Sequence, residues 1–207
     1  MQADWASQNL QVIRTLMERG AVYRRALAPV MGAVGLTGAV AAVLAALLDA
    51  RGARAFAGFW LAAAVVCLAE ALLLIRRQAL KDAEPFWSPP TRRVAQAVAP
   101  ALSAGCAAGL VFLIIEPGGP LAVWLLVPGW MVLYGCALHA AGFFMPRGFK
   151  LFGWGFIAMG CLLGAALCLG GPPPVGGVNW AMGLLFGGPH LAYSLYLYFT
   201  EKRGNAT

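Results

Sequence analysis

The sequence contains few charged residues. Only 11% of its 207 residues are charged, whereas 61% are hydrophobic. In an ordinary soluble domain, roughly a quarter of the residues are charged. A soluble fold of this size could not cover so much apolar surface. The apolar stretches also lack the apolar/polar alternation of a membrane β-barrel, so the sequence predicts an all-α membrane protein.

The chain also lacks the short motifs of common catalytic and nucleotide-binding sites. No P-loop, GxSxG, HExxH, CxxC or Rossmann fingerprint occurs in a supporting context. The five cysteines have no metal-ligand spacing, and we expect small buried hydrophobic side chains at Cys67, Cys106, Cys136, Cys161 and Cys168. These absences favour a non-enzymatic protein, with no cofactor as the first expectation.

Six apolar stretches are long enough to cross the hydrocarbon core of a bilayer, which needs about 20 helical residues. They cover about 26–48, 55–75, 94–115, 121–144, 150–169 and 178–199. We therefore expect a six-helix transmembrane bundle over 26–200, arranged as three hairpins. Residues 1–25 would precede it, and 201–207 would form a cytoplasmic tail.

The basic residues lie mainly on one side of these spans. Thirteen flank the predicted cytoplasmic ends and two, Arg51 and Arg54, the other ends. The positive-inside rule then predicts a multi-pass cell-membrane protein with both termini in the cytoplasm. Anionic lipid headgroups explain the net charge of +7 better than nucleic acid does. The candidate headgroup or partner contacts are Arg24, Arg25, Arg76, Arg77, Arg92 and Arg93.

Two segments outside the spans have distinct patterns. Residues 4–24, which begin near Trp5, are amphipathic and predict a helix in the cytoplasmic interface, with partner docking as the alternative. The segment 84–91 contains three prolines and predicts a turn, with Trp87 as an interfacial anchor and Thr91 as the cap of the third span. This turn could also be a docking site for a partner.

Three ionisable residues fall clearly within the spans, namely Glu70, His139 and His190. Such groups are costly in a bilayer and usually face the bundle interior, so each is a candidate functional residue. Each follows a tryptophan by nine or ten residues, in the pairs Trp60 and Glu70, Trp130 and His139, and Trp180 and His190. This weak repeat predicts similar depths in three helices, and therefore a possible shared site. Tyr193 and Ser194, which follow His190, are secondary candidates.

Several uses of such a site remain open. Histidine and a buried carboxylate suit a proton relay or coupling site. Two histidines and a carboxylate also suit zinc, and two histidines suit haem. Alternatively, each side chain only fixes the packing of its helix. Pro189 adds a pointer, because it should leave the Leu185 carbonyl without its helical donor close to His190.

The leading hypothesis is a membrane protein that binds or moves a small solute, proton or metal at a buried site of Glu70, His139 and His190. The alternative is a sensor or scaffold that regulates a cytoplasmic partner, and the third hypothesis is a haem or metal protein. Without an energy-coupling domain, the chain could act as a homodimer or as a subunit of a membrane complex.

Overall fold

The computed structural model describes residues 26–115, 118–145 and 147–204. The predicted interfacial segment 1–25, with Trp5, Arg24 and Arg25, lies outside these residues. Within them every regular element is a helix and no strand occurs. The predicted all-α class is confirmed.

Five long helices are apolar enough to cross a membrane. They are α1 (Ala26–Leu47), α2 (Ala53–Lys81), α3 (Pro89–Ile115), α4 (Pro120–Ala141) and α5 (Arg147–Gly170). The sixth helix is a composite of α6 (Val178–Met182), a π-helical turn (Gly183–Gly187) and α7 (Gly188–Gly204). We use "sixth helix" below for these three pieces together.

Helix α2 ends at Lys81, six residues beyond the end of the predicted span 55–75, and the turn to α3 follows it. Its prolines do end the helical run, as predicted, but Pro89 and Pro90 form the first turn of α3, where missing N–H groups cost nothing. The Ser88 carbonyl accepts the first helical hydrogen bond, from the Arg92 N–H at 3.0 Å. Ser88 therefore caps α3, and the assignment of Thr91 as the cap was wrong. Thr91 lies inside the first turn, with its hydroxyl 3.0 Å from that of Ser88.

Helix α1 and the sixth helix pack closely and run antiparallel. Contacts pair Gly32 with Ser194 near one end and Ala42 with Gly183 near the other. In the middle, a Cβ placed on Gly35 would lie 3.0 Å from the Gly187 carbonyl oxygen. Small residues on both helices thus let the two backbones touch.

Helices α4 and α5 form a second close antiparallel pair. A Cβ on Gly135 would lie 2.7 Å from the Gly153 carbonyl oxygen, and one on Gly160 would lie 3.0 Å from the Pro128 carbonyl oxygen. Neither of these two closest pairs is one of the expected hairpins, and the grouping into three hairpins stays a prediction.

Helix α2 is held differently. In its most apolar stretch only 6% of the residues are buried, against 56% in α4. It packs along α3, where Leu61 touches Gly109 and Gly58 lies close to Leu113. Large apolar side chains are exposed on several helices, including Leu47, Leu73, Ile114, Leu162 and Leu169. This surface, together with the long apolar helices, is that of an integral membrane protein.

Candidate ligand cavity

A cavity of about 420 Å³ lies between α1, α2, α3, α4 and the sixth helix. Small residues on facing helices leave this space, among them Gly38, Ala63, Ala101 and Gly105. Among the residues that the structure describes, those that line the cavity include no Asp, Glu, Lys or Arg. Ligand pockets commonly have volumes of about 300–1,000 Å³ and mostly apolar walls with a few polar groups. This cavity has the size and the lining of such a pocket.

Two tryptophans in the cavity wall are fixed by hydrogen bonds. The Trp60 indole N–H donates to Oδ1 of Asn179 at 3.0 Å, and the Trp130 indole N–H donates to the Gly105 carbonyl at 2.8 Å. The Asn179 amide in turn donates to the Ala50 carbonyl at 2.9 Å. Because both indole N–H groups are already used, these walls present mainly ring surface to the cavity.

The main polar group in the wall is a pair formed by Tyr134 of α4 and His190 of α7. The Tyr134 hydroxyl lies 2.7 Å from Nε2 of His190, and Nδ1 of His190 lies 2.6 Å from the Phe186 carbonyl oxygen. A carbonyl oxygen only accepts, so Nδ1 carries the proton. In the neutral ring Nε2 is then the acceptor, and Tyr134 donates to it.

Aromatic rings surround His190, which is only 1% exposed. Phe152 and Phe156 of α5 lie 5.2 and 5.5 Å from its ring, centroid to centroid. Phe186 belongs to the same cluster, 5.4 Å from Phe156. With both ring nitrogens bonded and apolar rings around it, the imidazole is held in one orientation.

The carbonyl bound by His190 lies at the end of the π-helical turn. The prediction named Leu185, the residue four before Pro189, but the imidazole contacts the carbonyl of Phe186, one residue further on. This is the carbonyl four residues before His190 itself, so the ring folds back along its own helix. The helix break therefore lies next to the carbonyl that His190 bonds, and the freeing of the Leu185 carbonyl stays a prediction.

Glu70 has a different partner. The Thr37 hydroxyl of α1 lies 2.9 and 2.8 Å from the two carboxyl oxygens of Glu70 on α2. Both residues are half-buried, and neither lines the cavity. This contact joins α1 and α2 beside the cavity.

His139 points elsewhere. Its ring packs edge-on against Phe143 and Trp154, each 5.4 Å away, and its Nδ1 is buried without a hydrogen-bond partner. His139 does not line the cavity, whereas Tyr134 does. Five residues along a helix correspond to a rotation of about 140° from the starting face. Tyr134 therefore reaches His190 from α4, and His139 does not.

The two secondary candidates take part in packing. Tyr193 stacks on Phe152 at 4.6 Å, on the α5 side of the sixth helix. Ser194 donates to the Ala28 carbonyl of α1 at 2.8 Å. Tyr134 and Phe186 occupy both nitrogens of the His190 ring, so Tyr193 is not one of its hydrogen-bond partners.

The predicted shared site of Glu70, His139 and His190 is not assembled. In the part of the chain that the structure describes, no three His, Cys, Asp or Glu side chains lie together as potential metal ligands. A bis-histidine haem site would need both imidazoles in one cavity, and only His190 lines this one. The three tryptophans of the repeat differ in burial, because Trp60 and Trp130 are buried and Trp180 is 53% exposed; their similar depth stays a prediction.

The cysteines also differ from expectation. All five are free, and four are exposed on the helix surface, namely Cys106, Cys136, Cys161 and Cys168. The prediction that they are buried was wrong for these four. Cys106 lines the cavity together with Cys67.

Sequence reasoning missed three polar residues that the structure brings into use, which are Thr37, Tyr134 and Asn179. The available signal was a polar side chain within or beside an apolar stretch, which is costly unless satisfied. No protein-family model, no curated protein and no solved structure matches the chain.

Proposed function

We propose that this protein binds a small apolar ligand within the membrane, in the cavity beside Tyr134 and His190. The observation that carries the proposal is the uncharged 420 Å³ cavity with its main polar group in one place. An apolar ligand would gain burial against the walls, and the polar pair would fix its orientation. Of the three predicted ionisable residues, only His190 contributes to this site.

We also propose a multi-pass arrangement with both termini in the cytoplasm. Arg76, Arg77, Arg92 and Arg93 are exposed at the ends of α2 and α3 that face each other across the 82–88 turn. Trp87 is 59% exposed in the same turn. Basic and aromatic side chains at one helix end suit a cytoplasmic leaflet with anionic headgroups.

The binding proposal can be tested by filling the cavity. Ala63 lines it, whereas its neighbour Ala62 is exposed and does not. The probe is a tetradecanol that carries an alkyl diazirine, added to the protein in phosphatidylcholine nanodiscs. After illumination, peptide mass spectrometry maps the labelled residues. We expect labels on cavity residues of the wild type, and a loss of most of this labelling in Ala63→Phe.

Ala62→Phe is the matched control, because it adds the same ring one residue away on the outer side of α2. It should retain wild-type labelling of the cavity. Labelling restricted to the outer helix surface, or cavity labelling that Ala63→Phe leaves unchanged, would refute the proposed function.

A further inference from the structure

The hydrogen-bond pattern of the Tyr134–His190 pair restricts the chemistry of the ligand. This inference rests on the proposed cavity function. We infer that the ligand is an uncharged apolar molecule whose polar group is a hydroxyl, and that this hydroxyl donates a hydrogen bond to the phenolic oxygen of Tyr134.

The directions of the two hydrogen bonds of His190 decide what Tyr134 can offer to a ligand. Nδ1 of His190 donates to the Phe186 carbonyl, so Nε2 of the neutral ring accepts from Tyr134. A phenol has one proton, and this bond uses it. The Tyr134 oxygen can still accept, but it cannot donate to a ligand without breaking its bond to His190.

Tyr134 is more exposed to the cavity than His190 is. Tyr134 lies on α4, the most buried of the long helices, yet it is only half-buried and lines the cavity. His190, with 1% exposure, lies deeper. A ligand in the cavity therefore meets the Tyr134 side chain before it meets the imidazole.

The other described residues of the lining offer a ligand no strong hydrogen-bonding group. The indole N–H groups of Trp60 and Trp130 are bonded to Asn179 and to the Gly105 carbonyl. The remaining side-chain polar atoms are the sulfurs of Cys67, Cys106, Met31 and Met182, which hydrogen-bond only weakly. The strongest group available to a ligand is thus an acceptor, so a ligand hydroxyl fits and a ligand carbonyl does not.

The uncharged lining of the cavity also disfavours a charged ligand. Because the described part of the lining holds no Lys or Arg, a carboxylate or phosphate headgroup would be desolvated there without a counter-charge. With no Asp or Glu there, an ammonium group would have the same problem. The cavity therefore selects a neutral hydroxyl among the common polar ends of apolar molecules.

A competition experiment tests this inference. The diazirine tetradecanol labels the wild-type protein in phosphatidylcholine nanodiscs, and unlabelled tetradecanol, methyl tetradecanoate and tetradecanoate compete, each expressed as its mole fraction in the bilayer. Because one neutral hydrogen bond is at stake, we expect tetradecanol to compete at an about two- to tenfold lower mole fraction than the methyl ester. The carboxylate should be the weakest competitor.

The double variant Tyr134→Phe/His190→Phe removes both the phenolic oxygen and the acceptor behind it. The alcohol and the ester should then compete equally. Tyr193→Phe is the control, because this tyrosine stacks on Phe152 and is not part of the cavity lining. It should keep the preference for the alcohol. If the double variant fails to fold, the order of the three competitors on the wild type decides the question.

The possible failures are distinguishable. If cavity residues are labelled but the ester or the carboxylate competes as well as the alcohol, the hydroxyl inference is wrong and the proposed function stands. If the double variant is folded and keeps the preference, Tyr134 is not the acceptor, and the inference is also wrong. If no cavity residue is labelled, the proposed function itself fails.

Discussion

The α4/α5 pair and helix α2 show two ways of holding an apolar helix in this molecule. Between α4 and α5, glycines bring backbones into contact, as where Gly135 faces the Gly153 carbonyl. The most apolar stretch of helix α2 has few buried residues, and two polar contacts join this helix to its neighbours, Trp60 to Asn179 and Glu70 to Thr37. The space between these contacts is the cavity. Glycines thus allow close packing of α4 against α5, whereas the looser packing of α2 leaves room for a ligand.

The largest expected effect comes from disturbing the closely packed α4/α5 pair. A Cβ on Gly153 would lie 2.6 Å from the backbone nitrogen of His139, which cannot move without shifting α4. We expect Gly153→Ala to lower the free energy of unfolding by about 3 kcal/mol, because overpacking of this kind forces backbones apart. SDS-driven unfolding in mixed micelles measures this free energy of unfolding.

The control for this prediction is Gly155→Ala, two residues along the same helix. A Cβ there meets nothing within 4 Å, so the stability should stay near that of the wild type. Equal effects of the two substitutions would show that backbone contact does not hold α4 and α5 together.

The next largest effect is expected at His190, which joins the sixth helix to α4 through Tyr134. His190→Phe would leave the Phe186 carbonyl and the Tyr134 hydroxyl without their partner. Buried polar groups that lose a partner cost about 1–3 kcal/mol, and we expect a loss of about 2 kcal/mol in the same unfolding assay.

His139→Phe provides the comparison. The His139 ring already packs against Phe143 and Trp154, and its buried Nδ1 has no partner. A phenyl ring should therefore be tolerated, or should stabilise slightly. A larger loss at His139 than at His190 would reverse our ranking of the two histidines.

The smallest effect is expected at the polar contacts that join α2 to its neighbours. Thr37→Val keeps the side-chain shape and removes the hydroxyl that contacts Glu70. Hydrogen bonds between transmembrane helices are worth about 0.6 kcal/mol on average and at most about 1.7 kcal/mol, so we expect a loss of about 1 kcal/mol. Thr37→Ser, which keeps the hydroxyl, should lose less. A loss as large as that of Gly153→Ala would mean that α2 is as firmly held as α5.

The fold class and the rough position of the helices could be predicted, because both depend on local properties. Length and apolarity alone identify helices such as α4 and α5, and the three prolines of 84–91 mark where α2 and α3 are separated. The cap was misplaced at Thr91 because Ser and Thr are both good capping residues, and the choice depends on where the helix begins.

The candidate site was predicted in part. His190 was identified because an ionisable group in an apolar helix demands a partner. Its hydrogen-bond partner, Tyr134, was overlooked in favour of the ionisable candidates Glu70 and His139. The rotation of α4 about its axis decides which of its residues face α7. Tyr134 faces α7, whereas His139, five residues further along α4, does not.

The sequence by itself determined that this is an all-helical membrane protein, because the bilayer leaves few structures open to long uncharged segments. It also singled out His190 as a group that must be satisfied. Only the tertiary structure decided that His190 pairs with Tyr134, that Glu70 pairs with Thr37, and that an uncharged cavity lies between the helices. Those features depend on how helices are rotated and how closely they approach. Many distant small residues set that approach together, and no local pattern reports it.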